Sequence, residues 1–149
     1  FLTKLKLSAK PPKNLIITPH PGEASRLLNK SIDEIESNRF KAVSLLQEKY
    51  NCVVVLKGSG TLVCYKKGGK QKIGICEAGN PGMASGGMGD ILTGIIAGFL
   101  AQGLSSIEAA ELGVDIHAKA ADLKSLETGE AGLLASDVLE EMRQLLKYE

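Results

Sequence analysis

No apolar run in the 149 residues approaches the ~20 needed to cross a bilayer, and no signal-peptide pattern is visible. Charge of one sign is also lacking: Lys and Arg number 18 against 17 acids. That balance leaves no electrostatic footprint for nucleic acid or an anionic membrane, so neither is expected as a partner. Cysteine is sparse. Cys52, Cys64 and Cys76 sit in strand-like segments, with no pair close enough for a CxxC knuckle. They are expected to be small apolar residues in a reducing, cytoplasmic setting. The phosphate-loop spacing G-x-x-x-x-G-K-[ST] is absent. No repeat, low-complexity tract or internal linker stands out. An initiating Met is missing too, since the chain opens on Phe1, and the start is expected to be truncated or processed.

What is present fits one globular domain over residues 1–149, with 44% hydrophobic and 23% charged residues. A globule of this size buries roughly 70% of its unfolded-chain surface, enough for a stable core. "KNLIIT" (13–18) predicts a short buried strand, and "PHPGE" (19–23) a turn, because two prolines forbid regular continuation. "EASRLLN" predicts a short helix. Residues 31–50 predict one amphipathic helix, with Ser31 and Glu34 at capping-box spacing. "CVVVLK" (52–57) is a continuous apolar run, as in a strand covered on both faces. "TLVCYKK" and "QKIGICE" predict a hairpin across "GGK". Helices are expected over about 90–101, about 105–124 (Ser105 and Glu108 again forming a capping box) and 136–148, with Ser136 as N-cap. The order predicts an α/β layered domain with a largely parallel sheet.

Three segments carry candidate chemistry. In "NPGMASGGMGDILTG" (80–94), glycines surround Asp90 at the start of a predicted helix. Gly86, Gly87 and Gly89 permit close approach of a ligand to the backbone. With Asp90 in the first turn, the N–H groups of Gly87, Met88 and Gly89 are unpaired helix-end donors suited to an anion. Donors of this kind stabilise developing negative charge by roughly 3 kcal/mol each. Beside a phosphate, Asp90 would accept a proton from an attacking hydroxyl. The helix dipole favours the charged carboxylate, so positioning would matter more than basicity. The alternative is an ordinary glycine-rich connection with Asp90 as N-cap.

In "VVLKGSGTLV" (54–63), a buried strand ends in Lys57, two glycines and the Thr61 hydroxyl. Ligands of doubly wound folds sit at such strand ends, so Lys57 and the Gly58–Gly60 backbone would hold a nucleotide phosphate. A tight turn with an exposed Lys57 is the alternative. In "TPHPGEA" (18–24), His20 is held between prolines with Glu23 at a helix opening. That is a stiff presentation suited to ligand contact, against a simply solvated histidine. His117 lies within a helix and is expected to pack or face solvent. Glu77 and Asn80 are candidates to orient a magnesium-bound water.

Together these segments, with "GLLASDVL" near the end, resemble the carboxyl-terminal motifs of NAD(P)H-hydrate dehydratases of the ribokinase-like superfamily. The resemblance covers nearly the whole chain, with the motifs in order. It implies a ribokinase-like fold, incomplete on its N-terminal side, because the family's domain extends upstream of Phe1. It implies dehydration of hydrated NADH or NADPH driven by ADP or ATP with Mg2+. Lys57, Gly58, Ser59, Gly60, Thr61 and Gly89 would contact the adenine nucleotide, and His20 and Asp90 the hydrated nicotinamide. Asp90 would take the hydroxyl proton, while the amides of Gly87, Met88 and Gly89 hold the transferring phosphoryl group. A homo-oligomer is also implied, tetramers being common in the family. Met88 departs from the wider superfamily, which usually has a small residue there. A small-molecule kinase of the same superfamily, or a non-catalytic nucleotide-binding fragment, are the other readings.

Overall fold

The computed structural model describes Pro12 and residues 14–147. The chain runs β1 (Ile16–Ile17), α1 (Pro21–Leu28), α2 (Ile32–Ser37), α3 (Arg39–Tyr50), β2 (Val53–Leu56), β3 (Thr61–Lys67) and β4 (Lys70–Cys76). A single 3-10 turn (Pro81–Ala84) follows, then α4 (Met88–Ala101), α5 (Ser106–Thr128) and α6 (Ala135–Leu145).

The strands form one sheet in the order β1-β2-β3-β4. β1 pairs with β2 in parallel, whereas β2 with β3 and β3 with β4 are antiparallel. Among the described residues the sheet is therefore mixed, and the largely parallel sheet read from element order narrows to the β1–β2 pair. The cause is local. The 57–60 turn, where Gly58 and Gly60 take positive φ, returns the chain beside β2, and Gly68 and Gly69, also at positive φ, return it beside β3 as a hairpin.

Side-chain alternation puts helices on both faces of the sheet. Val54 and Leu56 face the same side as their cross-strand partners Cys64 and Leu62, and there meet α1–α3 through Leu27, Ile35, Val43 and Leu46. Val53, Val55 and Val63 face the other side, against Leu92, Ile96 and Phe99 of α4 and Ala110 and Val114 of α5. β2 is thus buried at every position, as its unbroken apolar run predicts. Cys52 and Cys64 are buried thiols, pushed up to about 12 and about 11 mainly by desolvation, which keeps them unreactive.

Several boundaries differ from the sequence reading. α1 begins at Pro21, inside the segment read as a turn, because proline is tolerated at the first helical position. Residues 31–50 form two helices, not one. Asn38 leaves helical geometry (φ −151, ψ 77), and its side chain accepts the Lys41 N–H at 2.9 Å, capping α3 afresh. The break resets the helical face, so Phe40 is exposed while Ile35, Val43 and Leu46 are buried. Ser136 does not cap α6. It lies inside that helix, whose N-cap is Leu134, with Asp137 accepting the Leu134 N–H at 2.8 Å. The capping boxes at Ser31–Glu34 and Ser105–Glu108 form as expected.

α4 and α5 approach closely at Gly113, where an added Cβ would lie 2.6 Å from Ile96 Cγ1. Gly113→Ala should destabilise the fold by about 1–3 kcal/mol through overpacking. Urea unfolding measures this, and an unchanged midpoint would show that the helices can part without cost.

Candidate functional site

β1 and β2 run side by side and end at the same edge of the sheet. Beyond β1 the chain passes through Thr18, Pro19 and His20. Beyond β2 it passes through the 57–60 loop. Lys57 N–H donates to the Pro19 carbonyl at 2.9 Å, which ties the two strand ends together. The start of α4 joins them: Thr18 Oγ1 lies 3.0 Å from Thr93 Oγ1, and Thr93 Oγ1 also donates to the Gly89 carbonyl at 2.9 Å.

The α4 start is open. Its first intrahelical bond runs from Ile91 N–H to the Gly87 carbonyl at 3.0 Å. The N–H groups of Gly87, Met88, Gly89 and Asp90 therefore have no carbonyl of their own helix, and no side chain caps them. Gly87 takes φ +89, a conformation that favours glycine. The Lys57 ammonium sits directly beside this turn, 2.8 Å from where a Cβ on Gly89 would stand. A larger residue at position 89 would displace that ammonium. Helix-end donors and a lysine cation side by side make an anion-binding arrangement.

A cleft of about 540 Å³ opens at this point, lined by Lys57–Thr61, Glu77–Pro81, Met83, Ala84, Met88, Gly89, Leu92, Val114, His117 and Ala118. Its size suits a small-molecule ligand. Asp90 does not line it. Asp90 is exposed and faces an adjoining apolar groove of about 360 Å³ along α4 and α6, with Ile91, Gly94, Phe99 and Met142. The helix end thus lies between two recesses.

His20 lies outside the cleft lining. It is the N-cap of α1: Nδ1 accepts the Gly22 N–H at 3.1 Å, and its own N–H donates to Glu23 Oε2 at 2.8 Å. The same Glu23 oxygen lies 3.9 Å from the Lys57 ammonium. One carboxylate thereby bridges the "TPHPGEA" segment and the strand-end lysine. Asn80 has both side-chain polar atoms engaged within the fold. Nδ2 donates to Asp122 Oδ1 at 2.9 Å, and Oδ1 accepts the Gly82 N–H at 3.0 Å. Glu77 is exposed and, among the described residues, is the one acid that lines the cleft. No cluster of three or more His, Cys, Asp or Glu occurs among the described residues.

A sequence profile described as NAD(P)H-hydrate dehydratase matches residues 1–144. The chain belongs to that family. A bifunctional NAD(P)H-hydrate repair enzyme of Vibrio cholerae is 56% identical over 131 residues, 88% of this chain and 26% of that protein. An ADP/ATP-dependent NAD(P)H-hydrate dehydratase of Bacillus subtilis, crystallised with ATP and Mg2+, superposes with a TM-score of 0.86 at 28% identity. The superposition covers 95% of this chain and 50% of that one. A ribokinase-like superfamily protein of Enterococcus faecalis matches with a TM-score of 0.78 at 31% identity, over 98% of this chain and 48% of that one. The fold is therefore ribokinase-like, and the chain spans half or less of these proteins' lengths.

Met88 is the position at which the sequence departs from the wider superfamily. Its side chain is buried against Ala120, Ala121, Leu133 and Val138, so it anchors the α4 start while its N–H remains among the helix-end donors. Two residues at or behind the cleft were not singled out for it by sequence reasoning. His117 is buried (5% exposed) and lines the cleft, where packing or solvent exposure alone was expected. Its Nε2 is enclosed without a partner. The other is Arg39, whose guanidinium reaches the carbonyls of the 57–60 loop. A basic residue at the first position of a helix, where the dipole disfavours cations, is the signal that would have found it. Reading residues 31–50 as one helix hid that signal.

Burial pushes His117 down to about 4, opposed by a backbone hydrogen bond at Met88, so the ring is neutral at pH 7. The unfolded chain takes up this proton near the ordinary value of 6.5, before the folded protein does. Stability contributed by His117 is therefore complete above pH 6.5 and is lost as pH falls toward about 4. A His117→Gln variant should lose less melting temperature than the parent across that interval. Equal losses in both would mean that His117 does not carry this pH dependence.

Proposed function

We propose that the complete protein containing this chain restores hydrated NADH or NADPH to the reduced cofactor, using ADP or ATP. The reading rests on one observation above all: the Lys57 ammonium and the unpaired N–H groups of the α4 start converge at Gly89, on the wall of the cleft. Family membership and the ATP- and Mg2+-containing Bacillus subtilis relative support the assignment of that anion as a nucleotide phosphate. On this reading the 149 residues are the carboxyl-terminal portion of one ribokinase-like domain, in keeping with the half-length match to that relative.

The nucleotide would occupy the cleft, with its phosphates against Lys57, the Gly58–Thr61 backbone and Gly89. The hydrated nicotinamide would approach from the groove side of the helix end, which Asp90 lines, and would also meet His20. Asp90 would accept the proton of the ring hydroxyl as its oxygen attacks the terminal phosphorus. The amides of Gly87, Met88 and Gly89 would hold the phosphoryl group in transit, and their fixed orientation needs no rearrangement as charge develops. Phosphate then leaves with the C–O bond electrons, and loss of a proton from the neighbouring carbon restores the ring double bond. Magnesium would neutralise the nucleotide phosphates. With Glu77 the only acid lining the cleft among the described residues and Asn80 engaged with Asp122, the phosphates and water would supply most of its ligands. A cytoplasmic location and a homo-oligomer, as a tetramer, belong to the same proposal. Among the described residues no helix is long and apolar enough to cross a membrane.

Recovery of reduced-nicotinamide absorbance from hydrated NADH, with ADP and Mg2+, tests the activity in the full-length protein. A phosphorylated product that accumulates without cofactor recovery would favour a small-molecule kinase. Asp90→Asn should lower turnover by at least about a hundredfold, the usual scale for a lost general base, with ADP affinity unchanged. Near-parental turnover in that variant would remove Asp90 as the base.

A further inference from the structure

We infer that Arg39 is a positioning residue for nucleotide binding, holding the 57–60 loop from behind so that its amides face the ligand. The inference rests on the reading of that loop as a phosphate site. Arg39 opens α3, beneath the end of β2. One terminal nitrogen, Nη1, donates to the Ser59 carbonyl. The other, Nη2, reaches the Leu56 carbonyl at 3.3 Å and the Lys57 carbonyl at 3.4 Å. The Thr61 hydroxyl takes the one between, donating to the Gly58 carbonyl at 3.2 Å. Four successive carbonyls are thus engaged by two side chains.

The consequence follows from the planar trans peptide, in which the N–H of one residue points opposite to the carbonyl of the residue before it. With the Lys57 and Ser59 carbonyls turned to Arg39, the N–H groups of Gly58 and Gly60 are turned away from it. Arg39 is not among the residues lining the cleft, whereas Lys57–Thr61 are. The guanidinium fork therefore fixes the back of a loop whose front meets the ligand. Its geometry suits this task because its donors are coplanar and rigidly spaced. Gly58 is part of the same device. At φ +145, a Cβ there would stand 2.8 Å from Arg39 Nη2, so a side chain would expel the guanidinium. Among the described residues no carboxylate pairs with Arg39. Its charge therefore remains to favour an anion on the far side of the loop.

Two substitutions in the full-length protein separate this role from bulk stability. Arg39→Met removes fork and charge, and Arg39→Lys keeps the charge but loses the fork. For each, calorimetry with ADP and Mg2+ gives the affinity of the folded protein. Amide hydrogen exchange without nucleotide reports on residues 57–61. Arg39→Met should bind ADP about tenfold or more weakly, because the loop amides lose their fixed orientation and the anion loses the charge behind them. Arg39→Lys should fall between it and the parent, and both should exchange faster at Gly58 and Gly60. Parental affinity and exchange in a folded Arg39→Met variant would overturn the inference. So would an Arg39→Lys variant equal to the parent, and that variant decides alone where Arg39→Met fails to fold. If the parent itself binds no ADP, the nucleotide reading of the loop fails instead. Exchange at Gly58 and Gly60 then still decides whether Arg39 orders the loop.

Discussion

The first turn of α4 has N–H groups to offer and no carbonyl of its own to receive them. In most helices a Ser, Thr, Asp or Asn at the N-cap takes one of these donors. Here the N-cap is Gly87, which has no side chain, and the Lys57 ammonium occupies the adjacent space rather than an acid. A cation beside the positive end of a helix is unfavourable unless something anionic joins them. That is the constraint around which the site is organised. Gly89 must lack a Cβ for Lys57 to come so near, and Met88 must be buried to fix the turn on the α5–α6 layer. Among the described residues Glu23, at 3.9 Å, is the one carboxylate within 4 Å of the ammonium.

Glu23 also shows how separate segments become one site. Its carboxylate caps the His20 N–H and faces Lys57, so α1, the loop after β1 and the loop after β2 share one oxygen. The parallel pairing of β1 and β2 is what allows this. Parallel strands deliver both of their carboxyl ends to the same edge, where an α/β layer places its ligands. The hairpin β3–β4 adds a third: β4 runs parallel to β2, pairs its last residue Cys76 with Thr61, and so delivers residues 77–81 to the same cleft.

Much of this organisation was legible in the sequence, for physical reasons specific to each part. β2 could be read from its unbroken apolar run, and the hairpin from its paired glycines, because both signals are local. The glycine-rich approach to Asp90 and the Lys57 loop were visible as backbone freedom beside charge. The break at Asn38 was not, since the apolar spacing across it still fits a single helix. An asparagine can leave a helix or remain in it, and the competing cap at Lys41 N–H decided the matter. Asp137 displaced Ser136 as the capping side chain at α6 in the same way. His117 and Arg39 were beyond sequence reading because their roles depend on contacts with residues 29 and 17–20 positions away, made only once the layers close.

The two recesses on either side of the α4 start bear on mechanism. Asp90 and Gly89 are neighbours in the chain, yet Gly89 lines the cleft and Asp90 the apolar groove. Successive helical residues are about 100° apart around the axis, so one turn presents donors to one side and a carboxylate to another. A phosphate held over the helix axis would be within reach of both. A nucleotide phosphate arriving from the cleft and a hydroxyl arriving from the groove would then meet at the helix end, with water displaced by the two ligands themselves. The Lys57 ammonium thus lies on the cleft side of the helix end and the Asp90 carboxylate on the groove side. On the proposed reading, the side that would receive the polyanion carries positive charge, and the side that would receive a neutral hydroxyl carries a proton acceptor.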